Sequence, residues 1–90
     1  MTSTEPPRRP EVVARTLFSA NAEGKWTWET KSLDNEVIAS SQEVHDSLRE
    51  SLDNFFSANN IQRDEAFTWP RNFGPLMRLA NDQYQINKFI

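Results

Sequence analysis

The sequence predicts a small α+β domain: a three-stranded antiparallel meander with one helix packed on one face, plus a C-terminal extension containing at least one further strand. Apolar residues alternate with polar ones in the first half of the chain, and they then recur at helical spacing over one segment. Turn-forming clusters separate these segments from one another. At 90 residues the chain has room for one domain with one modest core.

The chain opens with a segment that we predict to be a flexible arm. Residues 1–10 contain three prolines and two arginines, and closely spaced prolines exclude a helix and donate no ladder hydrogen bonds. The following segment, Glu11–Ser19, is rich in β-branched and apolar residues and leads into a turn cluster that ends at Gly24. We predict that this segment is the first strand.

The predicted second strand carries a tryptophan face. In Lys25–Lys31 the side chains of Trp26, Trp28 and Thr30 fall on one side of a pleated strand, and polar or charged residues fall on the other. An aspartate and an asparagine, which tolerate left-handed backbone, then interrupt the pattern. Glu36–Ser40 resumes it as the predicted third strand, which completes an antiparallel meander.

A change of period marks the predicted helix, from about Gln42 to Ala58. Apolar residues recur there at helical spacing, at Val44, Leu48, Leu52, Phe55 and Phe56. Ser40 with Glu43 three residues later has the form of a capping box, and Asn59-Asn60 offers a left-handed stop. Because the apolar stripe must be covered and the tryptophan face is the nearest apolar surface, we expect a two-layer domain.

The C-terminal extension, residues 61–90, is too rich in apolar residues to be a disordered tail. Prolines and a glycine break any long element, but Leu76–Ala80 and Gln83–Phe89 have the length and spacing of a hairpin. A short helix over the first of these segments, followed by one strand, is the alternative. We expect the extension to pack either on its own domain or on a dimer partner.

Composition excludes several classes of protein. The chain has no cysteine, so it has no disulfide, no thiolate metal site and no cysteine nucleophile. The net charge of -3 argues against binding to nucleic acid through the overall field, although the acids concentrate in the middle of the chain and leave mildly basic ends. A secretory signal and an apolar run of the roughly 20 residues that span a bilayer are both missing. We therefore predict a cytoplasmic protein with no membrane partner.

Catalytic patterns are also missing. His45 is the only histidine, and we expect it on a solvated helix surface without a base or nucleophile arranged around it. Asp46, Glu50 and Asp53 have the spacing of an acidic face but lack the compact loop of a calcium site. Two glycines in the whole chain exclude a glycine-rich phosphate loop. We predict that the protein is not an enzyme, with no catalytic, cofactor-binding or metal-binding residues and no cofactor.

Two short motifs resemble the repeat of the YegP-like family of small proteins. They are Gly24-Lys25-Trp26-Thr27-Trp28 and Asn35-Glu36-Val37-Ile38-Ala39-Ser40-Ser41, and the resemblance covers about residues 16–60. The chain departs from the family pattern at Asn35, which replaces a turn glycine, and in the helix, which lacks a glycine before its last apolar pair. The resemblance implies a three-stranded meander with a helix on one face, and pairing of single-repeat members as homodimers. The family has no established activity, so the resemblance implies no catalytic residues.

The predicted function is that of a non-catalytic protein-interaction module which associates with itself. A meander with one helix leaves a strand edge whose donors and acceptors must be paired or covered, and the C-terminal extension has more apolar residues than one added strand requires. We therefore predict a homodimer, with the partner bound by Trp69, Phe73, Leu76, Met77, Tyr84 and Ile86. The alternative is a weak binder of single-stranded nucleic acid that uses exposed aromatic residues and the basic termini.

Overall fold

The structure is a computed structural model that describes residues 11–90, so the predicted arm, residues 1–10, lies outside the described residues. The elements in chain order are β1 (Val12–Ala20), β2 (Trp26–Ser32), β3 (Val37–Ser40), α1 (Leu48–Ala58), β4 (Met77–Ala80) and β5 (Gln83–Phe89). The described part of the chain is thus a small α+β domain with one helix and one antiparallel sheet of five strands. This confirms the predicted α+β class with antiparallel strands.

The sheet has the strand order β3-β2-β1-β5-β4, and all neighbouring strands are antiparallel. The meander β1 to β3 lies within one residue of its predicted bounds. The C-terminal extension forms the hairpin β4–β5, and β5 runs along β1 from Phe89 opposite Val12 to Gln83 opposite Ser19. The extension therefore adds to the sheet of its own chain, and β1 becomes the central strand.

Left-handed backbone occurs where the turn residues predicted it. Gly24 has a φ of 76° between β1 and β2, and Asn35 has a φ of 64° between β2 and β3. Asn60, with a φ of 62°, follows the last turn of α1. Glycine and asparagine take this conformation at little cost, so these residues fix the ends of their elements.

The helix begins later than predicted, at Leu48 rather than near Gln42. The segment before it is not helical and is bridged to β2 at His45, because the Trp26 N–H donates to the His45 carbonyl oxygen at 2.7 Å and the His45 N–H donates to the Trp26 carbonyl oxygen at 2.8 Å. Val44, which the helical spacing placed on the buried stripe, is 57 % exposed. The predicted N-terminal turn of the helix and its first apolar position are therefore wrong.

The helix cap is Ser47, not Ser40. The Ser47 hydroxyl oxygen accepts a hydrogen bond from the Glu50 N–H at 3.1 Å, and the Glu50 carboxylate accepts one from the Asp46 N–H at 3.0 Å. Both serines have a glutamate three residues later, so the same local pattern occurs twice. The predicted box at Ser40 and Glu43 is wrong because Ser40 is the last residue of β3 and the bridge between His45 and Trp26 leaves no helical turn after it.

The buried core contains residues of the sheet, the helix and the C-terminal extension. Phe55 of α1 is at its centre, and its ring lies edge-on to three others: Phe18, Trp28 and Phe73. Ile86 of β5 belongs to the same cluster. The extension therefore contributes side chains to the core as well as strands to the sheet.

Candidate binding surface: the β3 edge and the adjacent groove

Strand β3 forms an exposed and uncharged edge of the sheet. All four of its residues are exposed, and Ile38 is 59 % exposed although it is among the most apolar side chains of the protein. Proteins usually protect an edge strand with charged residues or proline, and β3 has neither. The protection that remains is an irregular register against β2 near Val37. Such an edge is typical of a strand that pairs with another chain.

Backbone groups of β3 are directed away from the sheet. Ala39 lies opposite Thr30, and the Ser41 N–H donates to the Trp28 carbonyl oxygen at 2.9 Å. In an antiparallel pair, every second residue of a strand forms its backbone hydrogen bonds with the neighbouring strand. Ser40 lies between Ala39 and Ser41, which face β2 in this way, so its own N–H and carbonyl oxygen point away from β2. The edge therefore offers main-chain hydrogen bonds together with apolar side chains.

The opposite edge of the sheet, β4, is better protected. It also carries one exposed apolar residue, Leu79, which is 52 % exposed. Next to it stands a cation, Arg78, whose guanidinium donates to the side-chain oxygen of Asn81. A charge within the strand opposes pairing with a second apolar edge, so β3 is the more suitable edge for association.

A groove of about 240 Å³ adjoins β3 and is lined in part by residues of α1. Thr16 and Thr30 line it with their hydroxyl oxygens 2.7 Å apart, and both side chains are buried. The other lining residues come from β1, β2, β3, β5, the segment before β4 and the C-terminal part of α1: Val13, Ala14, Trp28, Ile38, Ala39, Phe55, Ala58, Asn59, Phe73 and Lys88. Because Ile38 and Ala39 belong to β3, the groove and the exposed edge form one continuous surface.

Two of the six residues predicted to bind a partner are buried within their own chain. These are Phe73 and Ile86, which belong to the core cluster. Leu76 and Tyr84 are half-buried and pack against that cluster, and Met77 is half-buried at the start of β4. The side chains of Phe73 and Ile86 already have packing partners, so they offer little surface to a second chain.

Trp69 is the most exposed of the six, yet it is also anchored to its own chain. Its indole N–H donates to the Gly74 carbonyl oxygen at 2.9 Å, and its ring lies edge-on to Phe56. The exposed residues of β3 were missed as candidates, because the sequence pattern marked Glu36–Ser40 only as a strand. The one signal available was the absence of charge from the last four residues of that segment, Val37–Ser40.

His45 is not on a solvated helix surface as predicted. It precedes α1, is half-buried, and its Nε2 has no hydrogen-bond partner among residues 11–90. The adjacent Asp46 forms an exposed ion pair with Lys25, and the hydrogen bond and charge of that ammonium lower the pKa of the Asp46 carboxyl. Over residues 11–90 no three His, Asp or Glu side chains are grouped so that they hold a metal ion.

Trp28 is 4 % exposed, and its indole N–H donates to the Asn54 side-chain oxygen at 2.8 Å. Its ring faces are therefore not accessible for stacking on a base. None of the helices within residues 11–90 has the length and apolar character that crossing a membrane requires. Comparison of the chain with protein-family models, with curated proteins and with solved structures finds no match, so the resemblance to the YegP-like repeat stays a prediction.

Proposed function

We propose that this protein is a non-catalytic, cytoplasmic protein-interaction module that forms a homodimer through strand β3. In this proposal α1 covers one face of the sheet. The strand edges are then the surface through which two copies associate. The observation that carries it is the exposed and uncharged β3, with Ile38 at its centre. Unpaired strand edges of this kind are normally covered, and pairing of two copies covers the β3 edge of each copy.

The β3 edge is suited to pairing with its own copy. An antiparallel pair of β3 strands has a twofold axis, so both copies use the same surface and the assembly closes. In that arrangement Glu36, just before β3, lies near the far end of the partner strand and not beside its own copy. The apolar side chains of Leu33, Val37 and Ile38, all more than half exposed, then contribute from both copies to the buried area that a stable interface needs.

Two earlier expectations bear on this proposal. We keep the prediction of a homodimer, but we place its interface on β3 and not on the C-terminal extension, since Phe73 and Ile86 are core residues of their own chain. Nucleic-acid binding through exposed aromatic residues has less support, because Trp28 is buried and Trp69 packs on Phe56. A stacking platform requires accessible rings.

Ile38→Lys is expected to convert the dimer into a monomer. Antiparallel pairing of two β3 strands would bring the two introduced ammonium groups close together in an apolar interface, where like charges repel and burial of a charge is costly. Sedimentation equilibrium over a range of micromolar concentrations measures the change. We expect the dissociation constant to rise by roughly a hundredfold, which corresponds to about 2.7 kcal/mol.

Leu79→Lys is the matched control, because Leu79 has nearly the same exposure on the opposite edge. It is expected to leave the dissociation constant unchanged. A parent protein that stays monomeric at high micromolar concentration would contradict the proposal. Equal loss of dimer in the two variants would contradict the assignment to β3.

A further inference from the structure

The groove beside β3 has the chemistry of a small-molecule site. We propose that it binds a small monocarboxylate with an apolar, ring-bearing body. This inference does not require the homodimer, since the groove is formed within one chain, but the groove shares Ile38 and Ala39 with the β3 edge. Three features of the groove support the proposal: one cation in the lining, one threonine hydroxyl proton without an acceptor among residues 11–90, and aromatic side chains in the lining.

Among residues 11–90, Lys88 is the only charged residue of the groove lining, and the lining they form contains no acid. Within residues 11–90 its ammonium makes no ion pair, and it lies 5.9 Å from the centroid of the Phe73 ring. A cation beside an apolar groove attracts an anion, and a carboxylate accepts short, charge-assisted hydrogen bonds from an ammonium. The charge of the ligand head group is therefore negative.

The pair of threonines supplies a second donor. The hydroxyls of Thr16 and Thr30 share one hydrogen bond, which uses one of their two hydroxyl protons. Both side chains are buried, and buried hydroxyl donors normally find an acceptor. Thr16 is two residues from Ala14, which pairs with Lys88, so both donors lie on the same face of the sheet. A carboxylate has two oxygens, and each can accept from one of these donors.

The apolar residues of the lining determine which apolar part of a ligand fits the groove. Trp28, Phe55 and Phe73 line the groove with the small part of each ring that is not buried in the core, and Val13 and Ile38 add aliphatic surface. Rings pack well against other rings in edge-on or offset arrangements, which favours a ligand that contains one ring. The volume of about 240 Å³ is smaller than the roughly 300–1,000 Å³ of typical ligand pockets, so one ring with a short acid chain is the suitable size.

The test uses 3-phenylpropanoate as the probe, with the neutral 3-phenylpropanamide as its comparison. A titration followed by two-dimensional NMR of the 15N-labelled protein reports on each backbone amide. We expect saturable shifts at Thr16, Thr30 and Lys88, with a dissociation constant of about a millimolar for so small a ligand. The amide is expected to bind roughly tenfold more weakly, because it lacks the charge-assisted hydrogen bond.

Three variants assign the binding to the groove. Lys88→Met is expected to weaken binding of the carboxylate roughly tenfold and to remove the preference for the carboxylate over the amide. Lys88→Arg is expected to keep both the affinity and this preference. Lys31→Met is the matched control, since Lys31 lies on the opposite face of the sheet and pairs with Glu29. The NMR spectrum of each variant shows at the same time that it is folded.

Three outcomes overturn the inference: no saturable shifts at the groove, equal binding of the amide, or unchanged binding in Lys88→Met. Lys88→Met is expected to sediment like the parent, because Lys88 is in β5 and not at the β3 edge. Ile38→Lys tests the dimer and Lys88→Met tests the groove, so failure of one proposal is distinguishable from failure of the other.

Discussion

Replacement of Trp28 by alanine is expected to destabilise the protein by about 3–5 kcal/mol. Trp28 is 4 % exposed, its ring centroid lies 5.3 Å from that of Phe55, and its indole N–H donates to Asn54. The substitution removes the ring from the core and leaves a cavity there. Since small domains are stable by only about 5–15 kcal/mol, urea denaturation should show most of the stability lost.

Two further substitutions separate the causes of this loss. Trp28→Phe keeps a ring against Phe55 but removes the donor to Asn54, so most of its cost is that of one hydrogen bond plus a small cavity, about 1–2 kcal/mol. Val44→Ala removes an apolar side chain that is exposed, and it is expected to change the stability by less than about 0.5 kcal/mol. A Trp28→Ala protein with the same denaturation midpoint as the parent would show that this core assignment is wrong.

The meander was predictable because its signals are local. Alternation with a period of two places Trp28 and Thr30 on the buried face, and Gly24 and Asn35 mark the turns by the backbone conformation they allow. These properties depend on residues next to one another in the chain. The strand bounds were therefore correct to within one residue.

The start of the helix was not predictable from local signals. Val44 has the correct spacing to continue the stripe of Leu48 and Leu52, and Ser40 has the same capping pattern as Ser47. The hydrogen bonds that join His45 to Trp26 exclude the earlier start, with its cap at Ser40, and leave the start at Leu48. These bonds connect segments that are distant in sequence. Periodicity and capping patterns carry no information on such a contact.

The candidate site was missed for a related reason. Whether a strand is an edge depends on the order of all strands, and β3 is an edge only because β5 pairs with the free side of β1. The residues of the groove, from Val13 to Lys88, are brought together by the same pairing. The apolar content of the extension indicated that it packs, but a strand added to its own sheet and one added to a partner have the same sequence pattern.

A chain that ends at Gln62 is expected to be unfolded. It lacks β4 and β5, so β1 loses the neighbour with which it pairs from Val12 to Ser19 and becomes an edge. It also lacks Phe73 and Ile86 of the core, and Phe56 loses every ring partner outside α1: Phe67, Trp69 and Phe73. Loss of two buried side chains alone costs several kcal/mol, which is comparable with the whole stability of a domain this small.

Circular dichroism with a urea or thermal scan measures this prediction. The chain that ends at Gln62 is expected to show no cooperative transition, and its tryptophan emission is expected to be that of solvated indole. Removal of Ile90 alone is the control, because that residue is 85 % exposed and follows β5, and this shorter chain is expected to melt close to the parent. A cooperative transition in the chain that ends at Gln62 would show that the segment resembling the YegP-like repeat folds by itself. In that case the extension would be an addition to a complete unit, and its residues, Trp69 among them, would again be candidates for the surface that binds a second copy.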